Sequence, residues 1–156
     1  MYFEETDENI FESEKNSYYI LSLGLDYECT NELAKKFDEK YKITENLKMR
    51  SRNIMPDCIA VGRTINLITK NDKDDTTLCK NFEPSLRGLR KLCEHHKIRK
   101  IIIPSECIID SSLTWKRARK RIISAFKDAD ITIIIYHKVM PPVRKLTQSE
   151  IDIILG

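Results

Sequence analysis

Two runs constrain this chain more than any other feature. Ile101-Ile102-Ile103, stopped by Pro104, and residues 131–136, apolar except at Thr132, show no alternation of apolar and polar side chains. A strand that is apolar on both faces must be covered on both faces. Between and before these runs lie helical patterns. Leu86, Leu89, Leu92 and Cys93 line one face of a helix over about 82–96, and Ile122, Ile123 and Phe126 one face of a helix over 115–126. Helix and strand in alternation, with fully apolar strands, predict an α/β fold with helices on both sides of a sheet.

The first half fits the same architecture. Residues 17–24 form a short apolar, aromatic run ended by Gly24 and read as a strand. Over 30–41, Leu33, Ala34, Phe37 and Tyr41 recur at three- and four-residue spacing, which predicts a helix. Cys58-Ile59-Ala60-Val61 and Ile65-Asn66-Leu67-Ile68 flank Gly62-Arg63, and glycine at the first central position suits a type II′ hairpin turn. Residues 42–56 are polar without a clear period, and 70–77 read as a charged loop. After Pro141-Pro142, the capping-box pattern Thr147-Gln148-Ser149-Glu150 precedes Ile151, Ile153, Ile154 and Leu155. The expected division is one domain over 1–138 and an extension over 139–156 with one short helix, docked on the domain or on a partner.

A length of 156 residues suffices for one proper core, and 41% hydrophobic against 33% charged residues excludes a disordered chain. The acidic start with Glu4, Glu5, Asp7 and Glu8 is unlike a secretory leader. No apolar stretch approaches the roughly 18–20 residues that cross a bilayer. The expectation is an intracellular protein, cytoplasmic or nuclear, without a membrane partner. Cys29, Cys58, Cys79, Cys93 and Cys107 are odd in number and scattered, without metal-ligand spacing, so no disulfide framework, metal or cofactor is expected.

Several stretches, taken in order, are similar to the macrodomain family, and within it to the terminal ADP-ribose protein glycohydrolase branch. They are strand 17–24, helix 30–41, the strand end Leu67-Ile68-Thr69-Lys70, and Ile101-Ile102-Ile103-Pro104 followed by Leu113-Thr114-Trp115. The resemblance covers roughly residues 9–137. It implies a three-layer α/β/α fold around a mixed central sheet, and a site that grips ADP-ribose. It also implies that Lys70 attacks the distal ribose, with a loop aspartate moving protons. Counting from Pro104 and from Trp115 puts Ser111 at the aspartate position and Asp110 one residue before it.

The departures from the family are concentrated in its phosphate-gripping loops. Glycine belongs there because a residue without Cβ lets backbone N–H groups close on a diphosphate. This chain places Cys29, Thr30, Asn31 and Glu32 in the first loop and Ser105, Glu106, Cys107, Ile108 and Ile109 in the second. Asn9 stands where the family has an adenine-recognising aspartate. Tyr136 closes the last strand, as an adenine contact or as core packing. The resemblance thus implies a divergent module recognising ADP-ribose, a related nucleotide or ADP-ribosylated protein, with hydrolase activity weakened or lost. One alternative is an active hydrolase that uses Lys70 to free ADP-ribose from protein carboxylates.

The other alternative lies in the charge distribution. Net charge is only +3, yet Lys116-Arg117-Ala118-Arg119-Lys120-Arg121 concentrates five cations on one helix. These read either as a solvated face or as an interaction surface for nucleic acid or protein. The run has no interleaved aromatics of the kind that stack on single-stranded bases. Cys107 has no histidine near it in sequence to make a thiolate, so a structural thiol is expected. His95-His96 reads as a cation pair at a helix end.

Overall fold

The computed structural model of the chain describes residues 1–8, 16–27, 29, 31–50, 57–70, 78–110, 112–138 and 148–155. Six strands, β1 (Tyr2–Thr6), β2 (Tyr18–Gly24), β3 (Asp57–Val61), β4 (Thr64–Lys70), β5 (Lys100–Pro104) and β6 (Thr132–Tyr136), form one sheet. Its order is β1-β6-β5-β2-β4-β3, parallel throughout except for the antiparallel β3–β4 pair. The helices are α1 (Glu32–Tyr41), α2 (Ile43–Lys48), α3 (Leu78–His96), α4 (Trp115–Ala125) and α5 (Gln148–Leu155), with a 3₁₀ turn at Ser105–Cys107.

Each central strand feeds two cores by simple alternation. Ile20, Ile65, Leu67, Ile101 and Ile103 join one cluster, with Phe82, Leu86 and Leu89 of α3 and Ile122 of α4. Tyr19, Leu21, Ile68 and Ile102 point to the other, with Phe37 of α1 and Ile43 and Leu47 of α2. Side chains two residues apart share a face, so the sheet carries helices on both sides. The mixed three-layer α/β/α arrangement expected from the sequence is the one observed.

Local physics sets the element ends. Among the described residues Gly62 is the glycine with positive φ, as the first central position of a type II′ turn requires. A Cβ there would also stand 2.8 Å from the Tyr41 ring. Asn31 caps α1, its Oδ1 accepting from Ala34 N at 2.7 Å. Helix α3 begins earlier than the apolar pattern indicated, at Leu78, and holds Pro84 in its second turn, where the missing N–H leaves the Lys80 carbonyl without its intrahelical donor. Asn81 Nδ2 ties this first turn to the Thr69 carbonyl at 2.8 Å.

Two elements depart from the sequence expectations. The stretch after Tyr41 contains α2, for which Asp38 supplies the cap: its Oδ1 accepts from Thr44 N and its Oδ2 from Thr44 Oγ1, both at 2.7 Å. Only Ile43 and Leu47 of α2 are buried, too few positions to mark a period. The acidic N-terminal segment contains edge strand β1, where only Phe3 is buried. Its order comes from the parallel ladder to β6, invisible in its own composition. Helix α5 docks on the domain, burying Ile151 in the cluster beneath α3 and α4.

Phe37 is fully buried and meets Tyr19 at a ring-centroid distance of 4.8 Å. Phe37→Ala should lower unfolding free energy by about 3–5 kcal/mol, as large-to-small core substitutions do. Urea denaturation of both proteins measures the difference.

Candidate functional site

Strands β1, β6, β5, β2 and β4 run parallel, so their carboxyl ends share one edge of the sheet, the usual place for a ligand crevice in such folds. Lys70 ends β4, opposite Gly24 of β2. Across the crevice, Asp110 forms a tight turn with Leu113, and its Oδ1 accepts from Ser112 N, Ser112 Oγ and Leu113 N at 2.7, 2.7 and 3.0 Å. Three donors on one oxygen fix the carboxylate and leave Oδ2 toward Lys70 Nζ, 3.7 Å away. The two side chains are 13% and 20% exposed, so they are partly desolvated but within reach of a ligand. An amine beside a fixed carboxylate is an arrangement that can form a covalent adduct with a carbonyl carbon and shuttle its proton.

The two loops without glycine meet directly. Asn31 Nδ2 donates to the Glu106 carbonyl at 3.0 Å, while Asn31 Oδ1, besides capping α1, accepts from the Cys107 thiol at 3.6 Å. One amide side chain thus bridges the start of α1 and the turn after β5. The cavity left between them, bordered by Ser22, Leu23, Lys70, Cys107 and Ile108, measures about 30 Å³. That is room for about one or two water molecules, against about 300–1,000 Å³ for pockets that bury a drug-sized ligand.

The thiols here are not activated. Burial, joined by the charge of Glu106, pushes the Cys107 thiol well above its ordinary range despite the Asn31 hydrogen bond. Burial and the nearby Asp38 carboxylate push Cys29 up to about 11. Both stay protonated at neutral pH, which disfavours nucleophilic roles.

Next to the second loop lies a chain of hydrogen bonds that the sequence did not reveal. Ser105 Oγ meets His137 Nδ1 at 2.8 Å, and His137 Nε2 meets Glu5 Oε1 at 2.9 Å. Trp115 Nε1 donates to the same Glu5 oxygen at 3.1 Å, and Arg119 Nη2 approaches Glu5 Oε2 at 3.2 Å. A carboxylate only accepts, so Nε2 carries a hydrogen, and a neutral ring then accepts the Ser105 hydroxyl at Nδ1. Burial pushes the Glu5 carboxyl up, but the His137 hydrogen bond and the Arg119 charge outweigh it and hold the group below its usual range. This ties β1, β6, the second loop and α4 together at the site's far end. Glu5 belongs to the strand that gave no periodic signal, and His137 stands alone in sequence, so nothing local marked either.

Of the other expected site residues, Ile108 is buried in the main core and Ile109 packs partly buried against it, and both border the cavity. Tyr136 ends β6 and packs, partly buried, against the α1 side of the sheet. Asn9, Thr30 and Ser111 lie outside the described residues. The basic run on α4 divides: Arg119 turns to Glu5, and Lys116, Arg117 and Lys120 are exposed. Among the described residues no three His, Cys, Asp or Glu side chains converge as a metal site requires, and no helix is long and apolar enough to cross a membrane.

The Glu5 network carries a pH signature. A carboxyl whose folded pKa is depressed contributes stability above its unfolded pKa, and that contribution is lost as pH falls through the folded value. Glu5→Gln should therefore lower the melting temperature at neutral pH, by about 1–3 kcal/mol of stability for the lost charged hydrogen bonds. The gap to the wild type should close as pH falls below about 4, the ordinary carboxylate range. Calorimetric melts across that range test this; a pH-independent gap would mean that Glu5 acts through packing alone.

No protein-family model matches the chain, nor does the sequence of any curated protein. Solved structures do. The macrodomain of Mycobacterium tuberculosis DarG superposes with a TM-score of 0.72 at 16% identity, over 90% of this chain and 97% of that one. The macrodomain of Thermus aquaticus DarG gives 0.70 at 14% identity, over 86% of this chain and 97% of that one. Thermosipho africanus DarTG in complex with ADP-ribose gives 0.70 at 12% identity, over 90% of this chain and 43% of that longer one. Strand order, layering and these superpositions agree: the chain has the macrodomain fold.

Proposed function

We propose that the chain recognises ADP-ribose at the carboxyl edge of its sheet, with low affinity, and that the Lys70–Asp110 pair retains a slow hydrolase function. The observation that carries this reading is the 3.7 Å approach of Lys70 Nζ to a carboxylate already fixed by three hydrogen bonds. It is supported by the likeness to a structure solved in complex with ADP-ribose. In the reaction, the Lys70 amine bonds to the anomeric carbon of the distal ribose as the bond to a protein carboxylate breaks. Asp110 takes the proton that the amine sheds, and water then releases the sugar from the lysine.

Low affinity follows from the loops. A diphosphate arriving at the start of α1 must displace the Asn31 amide from both Glu106 and Cys107, and the cavity must open well beyond about 30 Å³. Binding is then reduced by the fraction of molecules with the loops apart. Glu32 and Glu106 set negative charge beside the incoming phosphates. Recognition with weakened turnover is therefore favoured over efficient catalysis.

Calorimetric titration with ADP-ribose should give saturable binding weaker than micromolar. Asn31→Gly keeps most of the helix cap while removing both loop contacts, and should tighten binding several-fold. No saturable heat up to millimolar ligand in either protein would overturn the reading. In a release assay on glutamate-linked ADP-ribosylated protein, Lys70→Ala should abolish whatever turnover the wild type shows. An alanine variant as active as the wild type would remove Lys70 from the chemistry.

A further inference from the structure

Between α3 and α4, on the side of these helices away from the sheet, lies a groove of about 720 Å³ that shares no residue with the cavity beside Lys70. Arg87, Arg90 and Lys91 of α3 and Arg117, Lys120 and Arg121 of α4 line it, against two carboxylates, Glu83 and Glu94. Six cations against two acids leave a surplus of four, more than the +3 of the whole chain. The remainder of the molecule is thus close to neutral, and the positive field is focused here.

Both carboxylates are already engaged. Glu83 is shared by Arg87 at 3.4 Å and Arg121 at 3.6 Å, and Glu94 holds Arg90 at 2.8 Å. Arg90 also donates to the carbonyls of Ala125 and Lys127 at 3.0 and 2.8 Å, which locks one wall of the groove to the end of α4. Among the described residues, Lys91, Arg117 and Lys120 have no carboxylate partner. Solvation alone explains isolated surface lysines; it does not explain a concave site where cations from two helices converge in excess of the carboxylates beside them.

The lining also indicates what the groove accepts. Among its described residues the one apolar side chain is Ala125, and none is aromatic. An acidic peptide would find no aromatic or large aliphatic side chain against which to anchor one of its own, and unpaired bases would lack a stacking platform. A duplex needs neither, since its bases are stacked inside and its phosphates form a ridge. Four of the six cations are arginines, whose planar fork matches phosphate oxygens. We propose that this groove binds the sugar-phosphate backbone of a double-stranded nucleic acid, irrespective of sequence.

Fluorescence anisotropy of the full chain with a short labelled DNA duplex at rising salt tests this. Three unpartnered cations predict a slope of log affinity on log salt of about −3, at about 0.9 per neutralised phosphate. Arg117→Glu with Lys120→Glu should weaken binding by about tenfold or more at low salt. Lys36→Glu with Lys48→Glu, on α1 and α2 across the sheet, makes the same change in net charge and should weaken it by less than about threefold. Thermal melts establish that both variants fold. Equal losses in the two variants, no saturable binding at low salt, tighter binding of the single strand, or displacement of the duplex by poly-glutamate would each overturn the proposal.

Discussion

Burial of β5 on both faces is the constraint on which the rest of the structure depends. Ile101 and Ile103 enter one core and Ile102 the other, each about 1% exposed or less, while β2 and β6 pair with its two edges. A one-residue slip would exchange the two faces, so the register is strongly specified. That register decides where the chain leaves the strand. Pro104 pairs with Tyr136, which puts Ser105 beside His137, and Thr6 pairs with Tyr136 from the other side, which brings the Glu5 strand into reach. The crevice is therefore assembled by strand pairing before any loop residue contributes to it.

What the loops add is closure. In a phosphate-gripping loop, glycine leaves backbone donors bare and the space above them open. Here Asn31 uses its amide for the helix cap and for the opposite loop at once, so the donors that would meet a phosphate already have an internal partner. Side-chain and backbone groups that are satisfied internally must be released before a ligand gains from them. Lys70 and Asp110 face each other beside this junction, 13% and 20% exposed. The closure and the Lys70–Asp110 pair thus rest on different residues, one in the first loop and two at the ends of a strand and a turn.

The sequence was most legible where burial imposes periodicity. The unbroken apolar runs of β5 and β6, the glycine turn at Gly62 and the three- to four-residue spacing on the faces of α1, α3 and α4 were all readable, because each is a local pattern that burial or turn geometry imposes. Strand β1 and helix α2 were not, because β1 depends on a ladder with residues about 130 positions away and α2 buries only two side chains. The site divides in the same way. Lys70 could be placed from its strand end, whereas the choice between Asp110 and Ser111 rested on counting through a loop. The three hydrogen bonds to Asp110 Oδ1 fold that turn tightly and leave its other oxygen facing Lys70, something spacing alone cannot express. Glu5 and His137 are 132 residues apart, and only the parallel pairing of β1 with β6 makes them neighbours.

Helix α4 shows how one buried contact can organise an exposed surface. Ala118 and Ile122 face the core four residues apart, and Arg119, next on the helix, is drawn by Glu5 toward the crevice. With those two directions fixed, the rotation of the helix is fixed as well. Arg117, Lys120, Arg121 and Ser124 follow at three- and four-residue spacing and must share the face that lines the groove with α3. Of the five cations in the run, Arg119 serves the network, Arg117, Lys120 and Arg121 face the groove, and Lys116 is exposed outside it. Glu5, which takes Arg119, sits on the strand at the far edge of the sheet, so one helix contributes both to the network at the crevice and to the charged groove.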